Sequence, residues 1–357
     1  MSNNDLKRRA KSALIGLAIG DALSWPALYH RSYMLPFWTR RIRREIDAGS
    51  EETNIIRPPM PFSLNRPSEP LALGPTDDTE WAAFTATLLI EQNGDLDPEH
   101  LLRAWLELAN GSARLSSPKS AIVRGGVSTQ AALTNLRRGL RPPICGHDNP
   151  HYFDDGACAR AVPIGVVCAG NPERAAKLAA IDACVTNAED GLWAAQAMAA
   201  AVSVACAGGT AKEAVDAALA PLPSQSWIQR TAAKAMSLCE GTTSLFEAIP
   251  ILADEIVNRE YSYGTAAPET LALTLAITTL AKNDFASAVM AATAIAKTAD
   301  SVPALVGALC GALSEQEIAG ERWLQSVRML RGICLPHLAG KDFLQMAESL
   351  ADLAVRN

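Results

Sequence analysis

The sequence predicts an all-α protein that folds as a single compact domain of many helices. Apolar residues make up 49% of the chain but aromatic ones only 5%, which indicates an Ala- and Leu-rich core of closely packed helices. Helix start and stop signals recur throughout, and alternating strand patterns are nearly absent. The 357 residues could form two ordinary domains, but no composition shift or linker separates them. We therefore expect one domain over 1–357, with an inserted loop at 28–75.

Capping residues and apolar spacing locate the individual helices. Asp97 and Asn171 each precede a first-turn Pro followed by Glu, a typical helix start. Thr210 and Ser244 are each followed three residues later by Glu, as in a capping box, and glycines such as Gly111 indicate helix ends. The predicted helices are 5–20, 78–92, 98–110, 128–138, 172–183, 189–207, 211–219, 228–239, 245–257, 268–282, 284–297, 301–313, 321–334 and 341–355.

Two acidic clusters stand at the starts of apolar helices, and they are the main indication of function. The first is a Thr-Asp-Asp-Thr motif that begins at Thr76, and the second contains Asp300 and Ser301. Adjacent carboxylates repel one another unless a positive charge lies between them. A helix N-terminus stabilises a surface carboxylate by only ~0.3–1 kcal/mol, whereas oxygen ligands suit Mg²⁺, Mn²⁺ or Ca²⁺. The predicted metal ligands are Thr76, Asp77, Asp78, Asp300 and Ser301.

An ordinary helix N-cap is the alternative role for Asp77 and Asp300, because Asp is common at that position. One cap residue would suffice for each helix. The N-cap role therefore explains Asp300 better than it explains the four residues 76–79.

Two long loops are candidates for binding a ligand, since loops of this length are usually functional or disordered. The first, 28–75, contains Tyr and Trp residues and seven prolines. Its aromatic residues could stack on a base or simply pack on the surface. The second, 140–160, has two His and three Asp within nine residues. It could hold its own metal, or its glycines, which allow close backbone approach, could face a ligand. The predicted substrate-binding residues are Trp25, Gly125, Gly126, Ser128, Asp155 and Gly156.

Four stretches together resemble the ADP-ribosylglycohydrolases, which are related to the enzyme that reactivates nitrogenase reductase. They are the Gly-x-x-x-Gly-Asp-Ala-Leu segment at 16–26, the Thr-Asp-Asp-Thr motif at 76–79, the Gly-Ala-x-x-Arg-x-x-Pro-x-Gly segment at 156–165, and the Asp-Ser with its Gly-Ala repeat at 299–312. The resemblance implies the all-α fold of that family. It also implies a metal-dependent hydrolase acting on ADP-ribose attached to a protein or on a smaller ribosyl compound.

The chain also departs from the family pattern. Thr298 and Leu28 stand where the family has an Asp and a Glu of its two-metal centre, Ser24 replaces a Gly, and Asn187 stands where many members have a His. The resemblance with these losses implies one Mg²⁺ or Mn²⁺ rather than two. The alternative function is a non-catalytic member that binds a ribosyl ligand or a partner protein through a decayed metal site.

The predicted reaction is hydrolysis of an N- or O-glycosidic bond at a ribose anomeric carbon, through an oxocarbenium-like transition state. Asp78 or Asp77 would take the proton of the attacking water. No Gly-x-Ser-x-Gly motif or Gly-x-Gly-x-x-Gly motif after a strand supports a serine nucleophile or dinucleotide chemistry.

Composition narrows the range of partners. A net charge of -6 argues against general nucleic-acid binding. The eight cysteines show no zinc-like spacing and indicate small buried residues in a reducing compartment. No segment approaches the ~18 consecutive apolar residues of a membrane span. We therefore expect a cytoplasmic protein with a small-molecule or ADP-ribosylated substrate.

Overall fold

The computed structural model of the chain describes residues 1–24, 52, 74–114, 123–258, 266–295 and 297–356. The predictions for Trp25, for Leu28 and for nearly all of the inserted loop at 28–75 lie outside the described residues.

The described residues form an all-α domain, as the sequence predicts, with two isolated β-bridges and no strand among them. Its sixteen helices are α1 (Asn3–Leu23), α2 (Asp77–Glu91), α3 (Pro98–Arg114), α4 (Val127–Arg137), α5 (Ile144–His147), α6 (Cys158–Val167), α7 (Pro172–Ala183), α8 (Glu189–Cys206), α9 (Ala211–Leu219), α10 (Trp227–Glu240), α11 (Leu245–Glu255), α12 (Ala267–Leu280), α13 (Phe285–Thr293), α14 (Val302–Leu313), α15 (Glu321–Arg328) and α16 (Phe343–Arg356).

Several local predictions of secondary structure are wrong. Gly111 does not end a helix, because α3 continues to Arg114, and the predicted helix 284–297 ends at Thr293. The sequence predicts a loop over 140–160, yet this segment contains the short helix α5 and the start of α6. Every residue of α6 is buried, and Pro163 lies inside it, so neither an amphipathic pattern nor a helix-favouring composition reveals this helix. The predicted helix 321–334 ends at Arg328, where Met329 instead forms a bridge with Asp342.

Small residues bring α1 and α14 into backbone contact and so position the acidic residues. A Cβ atom on Gly16 would overlap the carbonyl oxygen of Gly307, and one on Gly20 would overlap that of Pro303. These contacts run antiparallel along the two helices. The last turn of α1, which carries Asp21, therefore comes level with the first turn of α14, directly after Asp300 and Ser301.

The core is built largely from Ala, Leu and Val side chains. Along α8, residues such as Ala197, Met198 and Val202 are completely buried between α6, α7 and α9. None of the described helices is both long enough and apolar enough to cross a bilayer.

Candidate metal centre and its surroundings

Asp21 organises the start of α2 from the neighbouring helix α1. Its buried carboxylate accepts hydrogen bonds from the backbone N–H of Thr76 (2.7 Å) and of Thr79 (3.1 Å). The Thr79 hydroxyl also donates to it at 2.6 Å, and the Thr76 hydroxyl makes a further short contact. The N-cap residue is Thr76, whose side chain makes no capping bond. The alternative role of Asp77 as the N-cap is therefore wrong, because Asp21 takes that function.

Three carboxylates meet at this helix start. Asp21, Asp77 and Asp78 each offer one oxygen, and these atoms all lie within 4.8 Å of one another. Asp77 and Asp78 are partly exposed, so the cluster is open to solvent on one side. Carboxylate and hydroxyl oxygens are the donors that hard divalent cations such as Mg²⁺ and Mn²⁺ prefer. The donor chemistry of the cluster therefore fits the predicted metal.

Asp155 is a fourth carboxylate next to this group, and it is only 4% exposed. Burial raises its pKa well above the ordinary value, while hydrogen bonds from the hydroxyls of Thr270 and Ser301 oppose that rise. The bond from Thr270 Oγ1 to Asp155 Oδ2 is 2.6 Å long. The negative charges of Asp154 and Asp78 raise the pKa of Asp155 further. Asp155 thus connects the Thr-Asp-Asp-Thr cluster electrostatically to Ser301 at the start of α14.

Asp154 fixes the loop that carries Asp155. Its Oδ1 accepts hydrogen bonds from the Ser128 hydroxyl (2.7 Å), from Nδ2 of Asn187 (2.9 Å) and from the backbone N–H of Gly156 (3.1 Å). Burial raises the pKa of Asp154, and the bonds from Ser128, Asn187 and Gly156 lower it. The sequence-predicted residues Ser128, Asp155 and Gly156 therefore lie together. Asn187, one of the departures from the family pattern, here has a structural contact with this loop.

A buried ion pair supports the same loop from behind. Arg160 Nε lies 2.7 Å from Asp182 Oδ2, and both side chains are almost completely buried. Arg160 also donates to the carbonyl oxygen of Gly156 (3.0 Å) and to the Thr186 hydroxyl (2.8 Å). Its guanidinium lies 5.2 Å from the ring centroid of Trp105. The pair therefore holds the backbone of the Asp154–Gly156 loop in place.

The cysteine beside the acidic residues lies in surroundings that disfavour its thiolate form. Cys158 is fully buried at the start of α6, and burial together with the charges of Asp155 and Asp78 raises the pKa of its thiol well above the ordinary value. All eight cysteines are free thiols, and Cys184 alone is not fully buried. The prediction of small buried cysteines is borne out for seven of the eight.

A groove of about 500 Å³ lies along α4 and begins at the predicted glycine segment. Residues that line it are Gly125, Gly126, Val127, Gln130, Thr134 and Arg138. Ser128, the residue after Val127, donates a hydrogen bond to Asp154. The groove therefore begins beside the loop that carries Asp154 and Asp155. The glycine segment is thus connected to this loop through Ser128.

Sequence reasoning missed Asp21 as a site residue, although the segment that contains it is part of the family resemblance. A carboxylate that interrupts the long apolar run of α1 is the signal that could have identified it. Asp300 belongs to no group of three mutually close carboxylates among the described residues. Ser301 rather than Asp300 is the N-cap residue of α14. Thr298 is buried, and its hydroxyl bonds weakly to the carbonyl oxygen of Ile295 at 3.4 Å.

Comparisons with known proteins agree with the resemblance. The sequence model of a family described as ADP-ribosylglycohydrolase matches residues 2–357. A solved structure titled "ADP-ribosylglycohydrolase-related protein complex" superposes with a TM-score of 0.58 at 21% identity, covering 98% of this chain and 99% of that chain. No curated protein sequence matches the chain. The structural likeness supports the fold, and the family match extends over essentially the whole sequence.

Proposed function

The chain belongs to the ADP-ribosylglycohydrolase family, and we propose that it is a metal-dependent hydrolase that cleaves a glycosidic bond at a ribose anomeric carbon. The observation that carries this proposal is the cluster of Asp21, Asp77 and Asp78, whose oxygens lie within 4.8 Å of one another. Such a group of like charges is costly unless a cation neutralises it.

Thr76, Asp77, Asp78, Asp300 and Ser301 would hold one Mg²⁺ or Mn²⁺. Asp21 supports them from behind through its bonds to Thr76 and Thr79. When bound, the cation supplies charge stabilisation for the ribose hydroxyls and for a water molecule. Thr298 stands where the family resemblance implies a carboxylate of a second ion, which favours one ion over two.

Asp78, or Asp77 beside it, would act as general base. Its carboxylate takes a proton from water as the water oxygen forms a bond with the anomeric carbon and the glycosidic bond breaks. The electrons of that bond leave with the departing group, which takes up a proton. Both residues are partly exposed, although Oδ2 of Asp78 is itself buried. The buried Asp155 would position the ribose side of the site through its contacts with Thr270 and Ser301.

The surroundings of the acidic residues suit a ribosyl ligand. Gly125 and Gly126 can bring backbone N–H groups close to a phosphate or ribose. Just before Asp154 in the chain, the half-buried rings of His151 and Phe153 contact each other at 5.8 Å between centroids, and Phe153 contacts Trp227 at 5.9 Å. Aromatic faces of this kind can stack on a nucleobase.

We further propose that a compact ribosyl substrate is preferred over an ADP-ribosylated protein. The absence of carboxylates at Leu28 and Thr298 removes contacts that the family resemblance implies for full members. The inserted sequence 28–75, rich in proline and aromatic residues, adjoins the Thr-Asp-Asp-Thr motif in the chain. An added segment there favours a small enclosed ligand.

A substrate panel tests the function directly. The protein, with Mg²⁺ or Mn²⁺, is incubated with ADP-ribosyl-arginine protein, ADP-ribosyl-serine peptide, free ADP-ribosyl compounds and nucleosides, and the released ribosyl product is quantified. Turnover of a small compound supports the proposal. Rapid release from protein without nucleoside cleavage would refute the preference but not the hydrolase assignment. No turnover of any compound would refute the hydrolase assignment.

Thr298 favours a second candidate, a non-catalytic protein that binds a ribosyl ligand. Its buried hydroxyl faces the backbone of Ile295 and offers no charge to a second cation. Calorimetry with Mg²⁺ and ADP-ribose separates the two candidates. Binding of ADP-ribose without metal binding and without turnover would favour the non-catalytic protein.

A further inference from the structure

We infer that Glu80 is a positioning residue that sets the distance between the candidate metal centre and the Gly125–Gly126 segment. The inference rests on the proposed function for its chemistry, but its geometry stands independently. Glu80 lies in the same turn of α2 as Asp77 and Asp78, and its side chain is completely buried. It does not belong to the group of three close carboxylates.

The Glu80 carboxylate binds three consecutive backbone N–H groups from the segment before the last helix. Its Oε1 accepts from Ile333 at 2.8 Å, and its Oε2 accepts from Cys334 at 2.7 Å and from Leu335 at 2.9 Å. Hydrogen bonds to an ionised acceptor are stronger than neutral ones, and losing a buried acceptor leaves its donors unsatisfied. One side chain in the first turn of α2 thus anchors a segment about 250 residues away.

The anchored segment in turn holds the glycine segment. The backbone N–H of Arg124, the residue directly before Gly125, donates to the carbonyl oxygen of Cys334 at 2.9 Å. The peptide units around Cys334 therefore bond Glu80 on one side and Arg124 on the other. The contact path runs from the helix turn with Asp77 and Asp78, through Glu80 and Cys334, to Gly125.

The same segment also lies against the approach to the Thr-Asp-Asp-Thr motif. A Cβ atom on Gly74 would lie 3.2 Å from Cδ of Arg331, so the chain leading to Thr76 is packed closely on this segment. The segment from Arg331 to Leu335 is therefore a spacer between the two halves of the proposed site. If this segment moves, the distance between the candidate metal centre and the Gly125–Gly126 segment changes.

If Glu80 had a purely structural role, it would stabilise the C-terminal region without affecting the site. A matched control variant distinguishes the two roles. Asp342 also fixes this region, through an ion pair with Arg328 at 2.7 Å and a bond from the N–H of Gln345. Asp342 makes no contact of this kind with the Arg124 backbone. Asp342→Asn therefore loosens the same region at its other end.

The test compares the wild-type chain with Glu80→Gln, Glu80→Asp and Asp342→Asn. Calorimetry measures Mg²⁺ binding and, with Mg²⁺ present, ADP-ribose binding. Hydrogen exchange measures the amides of 124–127 and 333–335. In Glu80→Gln the amide group replaces an acceptor with a donor, so we expect about tenfold weaker ADP-ribose binding and faster exchange in both segments. Mg²⁺ binding should change by less than about twofold, because Asp77 and Asp78 are retained.

We expect Glu80→Asp to recover part of the ADP-ribose affinity and Asp342→Asn to leave it unchanged. If Glu80→Gln does not fold, Glu80→Asp alone is judged by the same measurements. Equal exchange at 124–127 in the Glu80 variants and the wild type would overturn the inference, as would an equal loss of affinity in Asp342→Asn. If the wild type binds neither Mg²⁺ nor ADP-ribose, the proposed function fails, and the exchange data still decide the positioning role.

Discussion

Two neighbouring groups of charged side chains differ in how their charge is balanced. Arg160 and Asp182 form a buried ion pair, and the guanidinium has additional partners in Gly156 and Thr186. In the acidic group of Asp21, Asp77, Asp78 and Asp155, Asp21 is bonded by hydroxyl and backbone N–H groups, and Asp155 is bonded by hydroxyl groups. Helix α2 connects the two groups, since it begins with Asp77 and Asp78 and its Thr85 donates to Asp182 at 3.2 Å.

The difference distinguishes a structural group from a site. A buried charge pair with satisfied partners fixes one conformation, and removing one member leaves the other charge unbalanced. A cluster of carboxylates concentrates negative charge, and this raises the affinity of its members for protons and favours a bound cation. The ion pair therefore holds the loop, and the acidic group is the candidate for chemistry.

The largest expected effect is on turnover in Asp78→Asn. Removing the proposed general base should reduce turnover by about 10²–10⁴-fold, while stability stays within about 0.5 kcal/mol because like-charge repulsion is relieved. Asp284→Asn is the control, since Asp284 caps α13 on the surface and accepts from Ser287 at 3.1 Å. Thermal unfolding and the substrate panel check both. A large drop in melting temperature for Asp78→Asn would show that Asp78 has a structural role. The acidic group would then not differ from the ion pair in function.

The next effect is on stability in Arg160→Met. Leaving Asp182 buried without its cation should lower the free energy of unfolding by about 3–5 kcal/mol. The double variant Arg160→Met with Asp182→Leu should recover much of this loss. Arg328→Met, which breaks the more exposed pair with Asp342, should cost less than about 1 kcal/mol. Urea unfolding measures all three, and a small loss for Arg160→Met would contradict the structural role.

Cation binding should stabilise the protein through the acidic group. At a Mg²⁺ or Mn²⁺ concentration of about 100 times Kd, the free energy of unfolding should rise by about 2.7 kcal/mol. The rise should vanish in Asp77→Asn, and a sodium salt of equal ionic strength should not reproduce it. A melting temperature that does not change at millimolar metal would show that the acidic group does not bind the cation.

The smallest effect concerns Glu269, an intermediate case between the two groups. Lys297 Nζ lies 2.9 Å from its Oε2, yet burial outweighs this cation and raises the pKa of Glu269 above its ordinary value of 4.5. Because the folded-state pKa is raised, the contribution of Glu269 to stability is fully present below about pH 4.5. It is lost as the pH rises through the folded pKa, by about 1.4 kcal/mol for each tenfold difference in proton affinity between the folded and unfolded states.

Unfolding measured from pH 4 to 8 tests this dependence. The free energy of unfolding of the wild type, relative to that of Glu269→Gln, should fall as the pH rises. In Lys297→Met this fall should continue to a higher pH. A difference that does not vary with pH would show that Lys297 fully compensates for burial. Glu269 would then resemble Asp182 rather than the acidic group.

Most helices could be predicted because their signals are local. The predicted helix 172–183 agrees with α7, where Asn171 accepts a hydrogen bond from the N–H of Arg174, and the capping box at Thr210 is present. Helix α6 could not be predicted, since a helix buried on all sides has no polar face and Pro163 argues against it. The end of α15 could not be predicted either, because Met329 pairs with Asp342 and the N–H groups of 333–335 are bound by Glu80, which are contacts with distant parts of the chain.

The sequence by itself determined the helical class, the family and the residue types of the acidic cluster, since each depends on composition, local periodicity or short motifs. Tertiary structure decided which carboxylates meet. Asp21 joins Asp77 and Asp78 because its carboxylate binds the start of α2, while glycines let the same helix α1 lie against α14. Asp155 reaches Thr270 across more than 100 residues. Such contacts depend on how helices that are far apart in the sequence pack together. Local sequence patterns contain no information about that packing.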